Sequence, residues 1–166
     1  MIARAKADTA DSEVTYTIAD LEHLELPAES FDFAFSSLVL HYIVDLDRLL
    51  RSVHRALVPG SYFTFTIEHP IYMAPASPGW LNQEGRKMWP IDGYASEGPR
   101  ITNWLAEGVV KQHRTLGTTL NGLIQSGFAI RHVQEWSPTA EEVAANPDLA
   151  EELERPMMVL ISAKRS

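Results

Sequence analysis

The sequence predicts an α/β fold, a mostly parallel sheet with helices on both faces, and three consecutive stretches predict it. Phe31 to Phe35 is a short apolar run with three aromatics, bounded by the polar pair Ser36 and Ser37; it is too short for a helix and reads as a strand. Leu46, Leu49, Leu50, Val53 and Leu57 then fall at i, i+3, i+4, i+7 and i+11, which puts all five on one face of a helix. Tyr62 to Ile67 is a second apolar, β-rich run. Two such strands flanking an amphipathic helix make a right-handed βαβ unit, hence parallel neighbours with helix cover.

The boundaries of that unit follow from its polar residues. Asp45 is placed to cap the helix, and Asp47 to pair with Arg51 one turn on. Pro59 and Gly60 stop the helix, since proline lacks the amide that would continue it and glycine tolerates the positive φ of the exit. Before the unit, residues 1 to about 10 are alanine-rich and read as the end of a helix, Val14 to Ile18 as a strand, and residues 21–30 as a polar connection.

After Glu68 the pattern becomes irregular. Residues 69–113 hold five of the ten prolines and three of the four tryptophans, Trp80, Trp89 and Trp104. So long an irregular stretch is functional or disordered, and its aromatics argue for order. It reads as an ordered insertion covering a pocket at the carboxyl end of the second strand. Regular structure resumes at Thr115 with a helix whose face carries Leu116, Leu120, Leu123 and Ile124 and whose end is marked by Gly127. Phe128 to Trp136 reads as a strand. Thr139 and Glu142 form a capping box for a short helix interrupted at Pro147, and Met157 to Ala163 reads as a buried strand apolar on both faces.

Composition narrows the partners. A chain of 166 residues with 45% hydrophobic residues suffices for one domain with its own core, so residues 1–166 are read as one domain. A formal net charge of −8 disfavours nucleic acid or an anionic membrane, which select cationic surfaces; a small-molecule partner fits better. There is no cysteine, which is compatible with a cytoplasmic protein, and no apolar stretch of signal-peptide or membrane-spanning length. The six histidines show no metal-ligand spacing, and Ser36 and Ser37 lack the glycines of a hydrolase nucleophile elbow.

In combination, Asp20, Leu26-Pro27, Ser30-Phe31-Asp32, Leu40-His41 and the run Arg55-Ala56-Leu57-Val58-Pro59-Gly60 resemble the class I S-adenosylmethionine-dependent methyltransferases, in particular the small-molecule group of the ubiquinone and menaquinone biosynthesis type. The resemblance covers nearly the whole chain outside residues 69–113. It implies a Rossmann-like methyltransferase fold with S-adenosylmethionine as cofactor and a small-molecule acceptor, apolar or aromatic. The family's glycine-rich turn and the acidic residue of its second strand have no counterpart here, since the nine glycines contain no G-x-G.

The resemblance therefore implies that strands 1 and 2 of the family sheet, ordered 3-2-1-4-5-7-6, are missing from this chain. It follows that the 14–18 strand has no partner and the 31–35 strand shows a bare apolar edge. Such a chain dimerises through that edge, repacks the orphan strand or behaves poorly alone.

By the same resemblance Asp20 accepts from the adenine amino group and the Leu21 amide reaches a ring nitrogen. Ser37, Leu38 and His41 stand near the cofactor at the carboxyl end of the family's fourth strand, where open α/β sheets place ligands. The plainer readings remain beside these: a turn aspartate, turn residues, and a histidine packed at a helix start. Glu68, His69 and Tyr72 are candidates for substrate contact or a base, or simply pin the insertion. The tryptophans cover an apolar acceptor or anchor a loop. An alternative of another class is a non-catalytic remnant or partner-binding module.

Overall fold

A computed structural model of the chain describes residues 2–103 and 106–166. Its centre is a four-stranded sheet formed by β1 (Phe31–Ser37), β2 (Leu57–Glu68), β7 (Phe128–Glu135) and β8 (Met158–Arg165), in the order β1-β2-β8-β7. This is the order expected for the last four strands, 4-5-7-6. β1 and β2 pair in parallel, as the βαβ reading requires, whereas β8 runs antiparallel to both its neighbours, so the sheet is mixed.

Helix α2 (Leu46–Ala56) begins where Asp45 accepts from the Arg48 amide at 3.0 Å. Its apolar stripe, Leu46, Leu49, Leu50 and Val53, is buried against Phe63, Phe65 and Ile67 of β2 and Val159 and Ile161 of β8. Each such side chain taken from water stabilises the fold by roughly 1.5–3 kcal/mol before entropy is counted. The helix stops at Ala56, three residues before Pro59: Leu57 is already extended, and Pro59 and Gly60 lie within β2, where the pairing register jumps from Phe31–Leu57 to Phe33–Tyr62. Asp47 forms no ion pair with Arg51 among the described residues. Its carboxylate lies instead over Gly122 of α4 (Leu116–Gln125), 3.1 Å from where a Cβ would stand there.

Helix α4 packs beside α2 on the same face of the sheet, with Leu123 buried and Leu116 and Leu120 against the core. Ile124, expected on that face, is exposed, because the stripe is narrower than the spacing implied. Gly127 does end the helix, at φ +93°; a Cβ there would stand 2.8 Å from His54 Nε2.

Helix cover, expected on both faces, lies on one face as far as α2 and α4 go. On the other, Phe33, Phe35 and Tyr62 stay exposed, Phe33 at 56% and Phe35 at 60%. Beyond β1 no further strand pairs among the described residues, so its outer edge is bare as anticipated. Helix α1 (Ile2–Asp8) is present. Residues 14–18, by contrast, form no strand: a strand is completed by a neighbour's amides and carbonyls, none pairs here, and Ile18 is 85% exposed.

The irregular stretch carries regular elements of its own. It contains helix α3 (Pro70–Met73) and two antiparallel hairpins, β3 (Leu81–Gln83) with β4 (Arg86–Met88) and β5 (Gly98–Thr102) with β6 (Val109–His113). Capped by the expected box, α5 (Ala140–Ala145) gives way to a 3-10 turn from Pro147 to Leu153. Strand β8 buries one face only, Val159, Ile161 and Ala163, not the two expected. No described helix is long and apolar enough to cross a membrane.

Candidate functional site

The carboxyl end of β1 is where the backbone departs from regularity. Leu38 has φ +54°, a left-handed conformation that costs a residue with a Cβ about 1–2 kcal/mol. It is held there by a hydrogen bond from its amide to the Thr66 carbonyl at 2.9 Å. Beside it the Thr66 hydroxyl donates to Ser37 Oγ at 3.4 Å. The chain then turns through a 3-10 turn, Leu40–Tyr42, that buries His41. Its Nδ1 accepts from the Glu68 amide at 3.4 Å, so the neutral ring carries its proton on Nε2. Burial, and secondarily the Lys111 charge, push the His41 pKa down to about 4. This histidine is therefore uncharged at neutral pH.

The Asp20–Leu24 segment is tied to the same end of the sheet. Asp20 caps a 3-10 turn, Leu21–His23, accepting from the Glu22 amide at 3.0 Å and pairing with His23 Nδ1 at 2.8 Å; these bonds hold its exposed carboxyl below the usual range. Glu22 reaches across to accept from the amides of Val44 and Asp45 at the entrance to α2. Arg48 donates to the carbonyls of Leu21 and Leu24, and the Ser52 hydroxyl to that of Leu24. Leu21 and Leu24 pack on the core.

At the end of β2, Glu68 pairs with the buried Lys111 of β6 at 2.5 Å. The two line a cavity of about 520 Å³, within the range of small-molecule sites. Tyr72, Trp80, Trp89, Thr102 and Arg155 complete its character. The Arg155 guanidinium carbon lies 4.7, 5.0 and 4.4 Å from the ring centres of Tyr72, Trp80 and Trp89, while its end pairs with Glu152. Tyr72 and Trp89 are nearly parallel at 5.3 Å, and Trp89 Nε1 donates to the Ile71 carbonyl at 3.1 Å. Burial, then the Glu68 charge, raise the Tyr72 hydroxyl above its ordinary pKa, so it stays protonated. On its other side Glu68 also borders a cavity of about 20 Å³, the size of one water, shared with His41 and Arg114.

Thus Glu68, Tyr72 and His41 converge, with Ser37 and Leu38 one strand away. His69 does not join them. Its Nδ1 accepts from the Ile71 amide at 3.1 Å, capping α3, and its Nε2 bonds Glu135 on β7 at 2.8 Å, so both nitrogens are used in pinning the start of the 69–113 segment. Trp80 and Trp89 do line the cavity; Trp104 lies outside the described residues. Lys111 and Arg155 were not anticipated. The Glu152-x-x-Arg155 spacing before Pro156 hinted at a local ion pair, but nothing local placed that arginine among aromatics 66 to 83 residues away. Among the described residues no group of three or more His, Asp or Glu could hold a metal ion.

Known proteins bear on this arrangement. Residues 1–65 match the family model of a methyltransferase domain. The crystal structure of an S-adenosylmethionine dependent methyltransferase from Mesorhizobium loti is 61% identical and superposes with a TM-score of 0.95, over 99% of this chain and 76% of that one. An uncharacterized protein of Haemophilus influenzae is 28% identical over 144 residues, 85% of this chain and 56% of its own length. A malonyl-[acyl-carrier protein] O-methyltransferase of Pseudescherichia vulneris is 36% identical over 66 residues, 40% of this chain and 26% of its own length. The chain thus spans about half or less of the curated relatives it matches.

Proposed function

The chain belongs to the S-adenosylmethionine-dependent methyltransferases, and from that premise we propose that it transfers a methyl group to a small-molecule acceptor held in the cavity under residues 69–113. The observation that carries this is the position of Glu68, which borders both the strand-end residues and the 520 Å³ cavity. We read residues 1–166 as one domain in which 69–113 covers the acceptor.

The strand-end groups fit the adenosine end of the cofactor. Asp20 uses part of its acceptor capacity on Glu22 and His23 and keeps the rest for an amino group, with the Leu21 amide beside it. Ser37 and the strained Leu38 would hold the cofactor from the strand end, and neutral His41 stands between that end and Glu68. S-adenosylmethionine, when bound, supplies a methyl group on a positively charged sulfur that the acceptor's lone pair displaces. Orientation and exclusion of water are then the protein's main contributions. Trp80 and Trp89 wall the cavity, and Glu68, one of whose carboxylate oxygens is held by Lys111, is the group of its lining that would take the acceptor's proton.

The bare β1 edge supports one further reading, a second copy pairing along Phe31, Phe33 and Phe35. A cytoplasmic setting without nucleic-acid or membrane partners accords with the charge of −8, which repels polyanions. Calorimetric titration with S-adenosylhomocysteine tests the cofactor assignment. One-to-one binding in the micromolar range, weakened about tenfold or more by Asp20→Ala, is expected. No detectable heat from the folded chain would remove the catalytic reading for it.

A further inference from the structure

The cavity wall contains a cation that is paired end-on with Glu152 and whose side is left without a partner among the described residues. Arg155 is 5% exposed, and three aromatic faces surround its guanidinium carbon at 4.4 to 5.0 Å. The rings desolvate the cation and fix its plane. Glu152 takes the end of the fork, through Nη1 and, at 3.4 Å, Nη2. Nε, on the side of the fork, is buried with no partner among the described residues, although Arg155 lines the cavity. A buried guanidinium N–H left unpaired is costly, of the order of 1–3 kcal/mol, unless something completes it. A second polar atom without a partner among the described residues, lining the same cavity, is the buried Thr102 hydroxyl oxygen.

Resting on the acceptor site assigned above, we propose that the methyl acceptor carries a carboxylate, received by the side of the Arg155 fork with the Thr102 hydroxyl nearby. Nε–H and the second N–H of Nη2 lie in the guanidinium plane and point to the same side, a spacing that matches the two oxygens of a planar carboxylate. The aromatic rings are already occupied by the guanidinium, so their role is to orient the anion's receptor and not to stack on the acceptor. This makes charge, more than aromaticity, the property the site selects.

The test compares carboxylic acids with their own amides, which keep the shape and lose the charge: 4-hydroxybenzoate, indole-3-acetate and hexanoate, each titrated into the full chain without cofactor and followed by tryptophan fluorescence. At least one acid is expected to bind tenfold or more tighter than its amide. Arg155→Gln should erase that preference and Arg155→Lys should keep part of it. Equal binding of every acid and amide, or no binding of any, overturns the proposal, and this comparison stands even if an Arg155 variant fails to fold. Acid binding together with silence in the S-adenosylhomocysteine titration would sink the methyltransferase reading of this chain and leave the anion site intact.

Discussion

The β1–α2–β2 unit and residues 69–113 are held together by different forces. In the first, leucines and phenylalanines at regular spacing bury one stripe, and polar residues serve as caps or, as Arg48 and Ser52 do, tie the 21–24 segment to the helix. In the second, beyond Met73, Ala74 and their buried prolines, polar side chains do much of the holding. Arg100 donates to the carbonyls of Ala74, Gly93 and Ser96, Lys111 is buried on Glu68, Lys87 pairs with Glu151, and Arg155 sits among three rings. The difference teaches that a binding cavity can be walled by groups whose partners leave room, whereas an apolar stripe closes completely.

The comparison breaks first at Leu50. Leu50→Ala, at 1% exposure, should lower unfolding free energy by about 2–5 kcal/mol in urea, while Ile124→Ala on the exposed side of α4 should change it by less than about 0.5 kcal/mol. Similar losses at both positions would refute the stripe. His41 gives the next effect. Its folded pKa, about 4, lies below the ordinary 6.5, so on acidification the unfolded chain takes up the proton first. Stability present above pH 6.5 is therefore lost as pH falls towards 4, by roughly 3 kcal/mol for this group. His54, His69 and His113 are lowered in the same direction by burial, so His41→Gln should flatten the pH profile without abolishing it.

Arg100→Met sharpens the contrast, since three carbonyls lose their donor: amide exchange within residues 93–96 should quicken, with about 1–2 kcal/mol lost locally and little change in the global transition. Smallest in stability is the double change Phe33→Lys and Phe35→Lys on the open face, within about 0.5 kcal/mol. Its effect should appear in sedimentation, as loss of any dimer the wild-type chain forms.

How much the sequence disclosed follows the same division. Leu46 to Val53 revealed their helix because periodic burial is a local signal, though Leu57, expected on the same face, already belongs to β2; Thr139 with Glu142 revealed a cap for the same reason. Val14 to Ile18 misled, since β-rich residues describe a strand only when a neighbour supplies its hydrogen bonds. At the candidate site, Glu68 and Tyr72, singled out for their place at a strand end, both line the cavity. His69 was a candidate either for the pocket or for pinning the insertion, and its ring, bonded to Glu135 and the Ile71 amide, does the second. Lys111 and Arg155 were illegible because their partners, Glu68 in one case and Tyr72, Trp80 and Trp89 in the other, lie tens of residues away in the chain.

The most direct test is hydrogen exchange of the whole chain, peptide by peptide, with and without saturating S-adenosylhomocysteine. Protection should appear at residues 20–24 and 37–42 and extend to the end of β2 at Glu68, leaving β7 and the outer turn of β3–β4 unchanged. Protection confined to β7 and β8, or bound ligand with no change at 20–24 and 37–42, would contradict the placement of the cofactor at these strand ends.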